Sequence, residues 1–208
     1  MKTITLIRHA ESLANAGHAT QAPAGIPLSE TGQRQATEFA ASLASAPDLI
    51  ICSPFDRARA TAQASARRFA WVPVEEWPVE EFTYLAPARF VGTTQAQRKP
   101  HADGYWQRAD AAYVDGPGAE SFTQLVGRAE RMVQRLVALE ADHVLVFTHG
   151  QFIRAVLWWL EYGERATEPE SMRRFRATDS TDPVPNTGGY TLSLAPDFTH
   201  PLPKPYRR

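Results

Sequence analysis

Two apolar runs of this chain each stop on a histidine. Ile4-Thr5-Leu6-Ile7 leads into Arg8-His9, and Val144-Leu145-Val146-Phe147 leads into Thr148-His149-Gly150. Short apolar runs rich in β-branched residues predict buried strands, here over Thr3–Ile7 and Val144–Phe147. Asp48–Cys52 reads the same way, Trp71–Val74 is expected to be another strand, and Tyr190–Leu194 a final one. Helical spacing fills the intervals. In Pro27-Leu28-Ser29-Glu30-Thr31-Gly32, Ser29 or Thr31 offers the cap of a helix reaching Phe39 and Leu43. An Arg- and Ala-rich helix follows Ser53-Pro54 to about Phe69. After Ser121, the residues Phe122, Leu125, Val126, Ala129, Met132, Val133, Leu136 and Val137 share one helical face. Ser121 and Gln124 have the spacing of a capping box, and Gln151–Leu160 predicts a further helix.

Strands alternating with helices predict an α/β fold: a three-layer α/β/α sandwich around a mostly parallel central sheet. No internal repeat or long linker divides the chain, so one domain over 1–208 is expected. Residues 82–118, with Pro87, Pro100 and Pro117 among aromatic and charged positions, break the rhythm. They are expected to form an insertion, partly helical over Ala102–Ala112, that serves as a lid over the strand ends. The Pro-rich tail from Pro196 to Arg208 is expected to hug the surface or hang loose, and Trp158-Trp159 to belong to the core.

Composition narrows the function classes. With 22 basic and 23 acidic residues the net charge is −1, so no global field recruits nucleic acid or anionic membrane. Arg173-Arg174-Phe175-Arg176, beside Glu168 and Glu170, reads as a solvated charged face. Cys52 is the single cysteine, which excludes an intrachain disulfide and suits a reducing compartment. The opening run is too short for a signal peptide and no stretch approaches a membrane span, so a cytoplasmic protein is expected. The sequence leaves monomer and homodimer open.

Ligands of parallel sheets collect at the carboxyl ends of strands, where both histidines fall. Arg8 offers a planar fork suited to phosphate, and His9 is a nucleophile through a neutral ring nitrogen. Arg57 and Arg59, just beyond the Ile50-Ile51-Cys52-Ser53 strand end, offer further guanidiniums. His149 has a hydrogen bond to give to a phosphoryl oxygen. Glu81, in Val79-Glu80-Glu81-Phe82, is a candidate acid for a leaving oxygen, with Glu80 its competitor. The cluster points to an anionic, phosphorylated substrate.

These residues fall in a recognisable order. Arg8-His9-Ala10-Glu11-Ser12 with Asn15, Pro27-Leu28-Ser29-Glu30-Thr31-Gly32-Gln33-Arg34-Gln35-Ala36, Ser53-Pro54-Phe55-Asp56-Arg57-Ala58-Arg59-Ala60-Thr61-Ala62, Ala119-Glu120-Ser121-Phe122 and His149-Gly150 resemble the successive motifs of the histidine phosphatase superfamily, the phosphoglycerate mutase-like family. The resemblance covers roughly 1–81 and 118–194. It implies a phosphoglycerate mutase-like fold and a metal-independent phosphatase that hydrolyses a small phosphomonoester through phosphohistidine on His9. Arg8, Arg57 and His149 would form the phosphate pocket, with Arg57 selected over Arg59. Asn15 would touch the phosphoryl group or substrate, and Glu81 would act as acid and then base. No cofactor or metal is implied. Two departures stand out. Ala10 replaces the usual glycine, which is expected to stiffen the turn and put a methyl group near the pocket, and the segment after Glu81 lacks the family's glycines. A phosphoglycerate mutase is the alternative, and a non-catalytic phosphate-ligand binder a further one. In the insertion, Arg89, Arg98-Lys99 and Arg108 are scattered rather than forming the mutases' paired-arginine segment, which argues for hydrolysis.

Overall fold

The computed structural model describes residues 1–194 and 204–206. Strands β1 (Lys2–Arg8), β2 (Leu49–Cys52), β3 (Val74–Glu76), β4 (His143–Thr148), β5 (Gly189–Leu194) and β6 (Lys204–Tyr206) form one sheet in the order β3-β2-β4-β1-β5-β6. The first four run parallel, whereas β5 lies antiparallel to β1 and β6 antiparallel to β5. The tail reading from Pro196 thus meets a strand at Lys204–Tyr206 and otherwise lies outside the described residues.

Helices cover both faces. Alternation along β4 shows the two layers: Val144 and Val146 join one apolar cluster, Leu145 and Phe147 the other. On the first side pack α4 (Phe122–Ala138), α5 (Gly150–Tyr162) and α6 (Pro169–Thr181), through Leu125, Val133, Phe152, Val156 and Phe175, all fully buried. On the other lie α1 (Glu30–Ser42) and α2 (Asp56–Arg68), with Phe39 and Ala62 against Ile50. This is the expected three-layer sandwich. Trp158 is buried in the first cluster and Trp159 packs against it.

Helix starts follow their caps. The Ser29 hydroxyl accepts from Gly32 N at 3.0 Å, so Ser29 rather than Thr31 opens α1. Ser121 and Gln124 make the reciprocal bonds of a capping box on α4. Two boundaries depart from expectation. Strand β3 begins at Val74, three residues later than Trp71, because Trp71 is 75% exposed and Pro73 has no N–H to give a ladder; the pairing starts with Ile50 N donating to Pro73 O. In the insertion, α3 runs Gln95–Arg108 rather than Ala102–Ala112. Its start is another capping box, Thr94 with Gln97, and Ala109 ends it in the left-handed region at φ 49°.

The insertion is an ordered wall. A 3-10 turn at Pro87–Phe90 precedes α3, whose Tyr105 and Trp106 pack on Phe82, Tyr84, Phe122 and Phe175. The arginine-rich segment at 173–176 is part of α6, where Phe175 is buried rather than solvated. Among the described residues, no helix is long and apolar enough to cross a membrane.

Candidate active site

Parallel pairing brings the two histidines together. Arg8 and Thr148 are ladder partners at the ends of adjacent strands, and His9 N donates to Thr148 O at 2.9 Å. His9 and His149, each one residue beyond its strand, stand with ring centroids 5.1 Å apart. Strand β2 ends beside them, with Ser53 N donating to Phe147 O, and the first turn of α2 then delivers Arg57.

The His9 ring is oriented by its own turn. Its Nδ1 lies 2.7 Å from Ala10 O, an acceptor only, so Nδ1 carries the proton and Nε2 a lone pair. Arg57 Nε donates to that Nε2 at 3.1 Å. Burial, with the Arg57 and Arg8 charges beside it, holds the imidazole well below its usual pKa. The ring is therefore neutral at physiological pH. Burial and then Arg57 and His9 do the same to His149, whose Nε2 lies 2.8 Å from Ser53 Oγ and whose Nδ1 is buried without a partner. His149 also caps α5, so the positive end of that helix dipole meets the site.

Arg57 is fixed by a bond from its Nη1 to Pro23 O at 2.7 Å, and burial pushes its pKa down to about 10. Arg8 gives Nη1 to Val184 O at 2.6 Å, while its buried Nε has no partner. Glu81 accepts from Phe82 N at 3.0 Å and opens onto the same cleft as Arg8 and Arg57. Burial raises its carboxyl pKa, against the pull of the Phe82 amide and of Arg57 and Arg8. Glu80 turns the other way, 3.4 Å from Arg128. Arg59, half exposed, pairs with Asp56 and Glu76 and stays outside the cleft.

One expectation is corrected. The Ala10 methyl group points away from the cleft and packs with Leu28 and Ala36, while Ala10 N donates to Thr61 Oγ1 at 3.0 Å. Asn15 Oδ1 accepts from Ser12 Oγ at 2.9 Å and lies 3.4 Å from Asn186 Nδ2, the amide that also donates to His9 O.

A sequence model of the histidine phosphatase superfamily (branch 1) matches residues 4–184. The chain belongs to that superfamily. A metal-independent phosphoserine phosphatase of Arabidopsis thaliana is 29% identical over 74% of this chain and 66% of its own length. An uncharacterized phosphatase, PhoE, of Bacillus subtilis is 28% identical over 79% of this chain and 80% of its own. Among solved structures, a native mycobacterial glucosyl-3-phosphoglycerate phosphatase superposes with a TM-score of 0.73 at 25% identity, over 98% of this chain and 96% of that one. All three are named as phosphatases, and the class of this histidine phosphatase is that of the phosphoric monoester hydrolases.

The remaining motif residues of this histidine phosphatase form a scaffold under His9. Glu11 N donates to Gln35 Oε1 at 2.8 Å, and Ser29 Oγ donates to Glu11 Oε1 at 2.6 Å. Gly32 lies so close that a Cβ on it would come within 1.9 Å of Glu11 O. Gly32→Ala is therefore expected to shift the backbone two residues beyond His9, costing about 1–3 kcal/mol in a denaturant titration and lowering activity further. Thr61 takes the Ala10 N–H and returns its hydroxyl to Arg57 O at 2.7 Å, tying the turn after His9 to the helix that carries Arg57.

Sequence reasoning missed the segment 182–188. Asn186 Nδ2 donates to His9 O at 2.8 Å, Thr187 N donates to Arg8 O at 3.0 Å, and buried Arg154 donates to Asp182 O. Thr187 holds φ at 57°, unusual for a β-branched residue, which marks a segment held by its surroundings. Pro183 and Pro185 were the available signal of a tight turn there.

Proposed function

We propose that this protein hydrolyses a small phosphomonoester, without a metal ion, through a phosphohistidine on His9. The observation that carries the reading is the His9 ring itself: neutral, with Nδ1 tied to Ala10 O and Nε2 facing the Arg57 guanidinium. Attack through Nε2 requires Arg57 Nε to turn from the ring onto a phosphoryl oxygen, and their contact supports reading the pair as nucleophile and charge partner. Arg8 Nε and His149 Nδ1, buried and unpartnered, are the donors that the other phosphoryl oxygens would satisfy. That reading gives His149 a proton on Nδ1.

Glu81 supplies the proton for the departing oxygen. Its raised pKa keeps a larger fraction protonated than an exposed carboxyl would have, and the adjoining guanidiniums keep it ionisable. Once the alcohol has left, the Glu81 carboxylate takes a proton from water as the water attacks the phosphohistidine. Nε2 leaves as a neutral ring and the cycle closes. Hydrolysis rather than transfer to a second hydroxyl is supported by the phosphatase names of the relatives.

Phosphate release from a panel of phosphomonoesters, measured with chelator present, tests the reading. Turnover unaffected by chelator, together with an acid-labile, alkali-stable phosphoenzyme after rapid quench, is the expected result. Activity that needs added divalent metal would overturn it.

A further inference from the structure

We propose that the wall of the cleft away from His9 is an anion subsite, where Arg98, Lys99 and Arg176 select a phosphomonoester whose alcohol half carries a second anionic group, a carboxylate or a phosphate. This rests on the hydrolase reading above and specifies its substrate class.

The cleft encloses about 630 Å³, a volume suited to a ligand much larger than a phosphate group. Five cationic side chains line it, Arg8, Arg57, Arg98, Lys99 and Arg176, against two carboxylates, Glu81 and Asp179. Arg8 and Arg57 belong to the scissile phosphate. Asp179 accepts from Gln151 Nε2 at 2.8 Å and lies 3.7 Å from Arg176, so it neutralises one of the other three cations. Cationic side chains thus outnumber carboxylates in the lining by five to two, on a chain whose net charge is −1. The excess is local, and a concave wall concentrates its field.

The three cations are arranged as a reader rather than as scattered surface charge. Arg98 is anchored through Nη1 to Thr93 O at 2.7 Å and Thr93 Oγ1 at 3.0 Å, which orients its guanidinium in advance. Arg176, from α6, lies over the ring of Trp106 in α3 at 5.4 Å and lines the same cleft. Tyr84 lines the same cleft. Lys99 is 72% exposed and pairs only with Asp103, one turn along the same helix, a surface contact that an incoming anion can replace. Leu85 and Phe90 line the same cleft and give the body of the alcohol an apolar surface. A leaving group with no charge would make no use of these cations, and an amine would be repelled.

Four matched esters test the subsite: butyl phosphate, and the same chain ending in a carboxylate, a second phosphate or an amine. For the full chain, kcat/KM is expected to favour the anionic ends over butyl phosphate by about tenfold or more, with the amine poorest. Whichever of carboxylate and phosphate gives the larger gain identifies the natural group. Arg176→Gln and the exposed Lys99→Gln are each expected to shrink that preference, mainly through KM. Equal turnover of neutral and anionic esters, or variants that lower all four by one factor, would overturn the subsite. Failure of every ester to release phosphate is a different result and counts against the hydrolase. In that event calorimetric binding of the matched phosphonates, which have no bond to cleave, still decides the subsite by the same comparison.

Discussion

His9→Ala is expected to reduce phosphate release by about four orders of magnitude or more and to abolish the phosphoenzyme. The size of the effect follows from what the ring does. Arg8, Arg57 and His149 can still bind the phosphoryl group, but without Nε2 the reaction has no nucleophile placed in line, and water has no position prepared for it. The fold should survive, because the backbone of residue 9 is held independently by Thr148 O and Asn186 Nδ2. Steady-state release with rapid-quench trapping reads both quantities. Substantial residual turnover with an unchanged circular dichroism spectrum would mean that the phosphoryl group never passes through His9.

Glu81→Gln is expected to cost about 10²- to 10⁴-fold in kcat for an alkyl phosphate, whose leaving oxygen needs a proton. An ester of a good leaving group, such as 4-nitrophenyl phosphate, needs no such proton in the first step. With that substrate the variant should accumulate phosphohistidine, since the base for water is missing. The pH profile has a defined sign. The nucleophile must be neutral, so kcat/KM rises with pH through a His9 pKa that lies below 6.5. The acid must be protonated, so the rate falls as pH passes the Glu81 pKa, which lies above 4.5. Glutamine at position 81 should remove the falling limb and keep the rising one. Glu80, paired with Arg128, should leave the profile unchanged when replaced by glutamine. Loss of the falling limb in that variant instead would exchange the two roles.

Much of this site was legible because its residues sit at the ends of strongly patterned elements. The runs before Arg8-His9 and Thr148-His149 are apolar enough to be strands in any reading, and parallel pairing then forces the two histidines together. Ser121 and Gln124 announced the start of α4, and did so correctly. What the pattern hid was tertiary. Helix α6 buries Met172 and Phe175 on one narrow face of an otherwise charged segment, so its polar positions dominate the local signal; Pro169 at its first turn was the readable cue. The charges of Arg176 and Asp179 look like solvated surface until α6 is laid beside the insertion. The Ala10 methyl group could not be aimed from sequence, because its direction depends on Leu28 and Ala36 approaching from α1 and the turn before it. Asn15 matched the family motif, yet the role of its Oδ1 within its own turn is visible only in three dimensions.

The first strand has no neighbour from the first two thirds of the chain. Its ladder partners are β4 and β5, and its terminal Arg8 and His9 are braced by Val184, Asn186, Thr187 and Gly188. During synthesis His9 emerges almost first, whereas the strands that pair with β1 and the segment that braces its end are made late. A nascent chain that stops before about residue 186 therefore has β4 as the only available ladder partner of β1 and lacks the Asn186, Thr187 and Gly188 bonds that brace Arg8 and His9. Sequence separations this large also raise the loop-closure cost of the central pairing, which slows folding. Activity should switch on in a single step near the end of translation, and fragments cut anywhere within the sheet should be silent until both halves meet again.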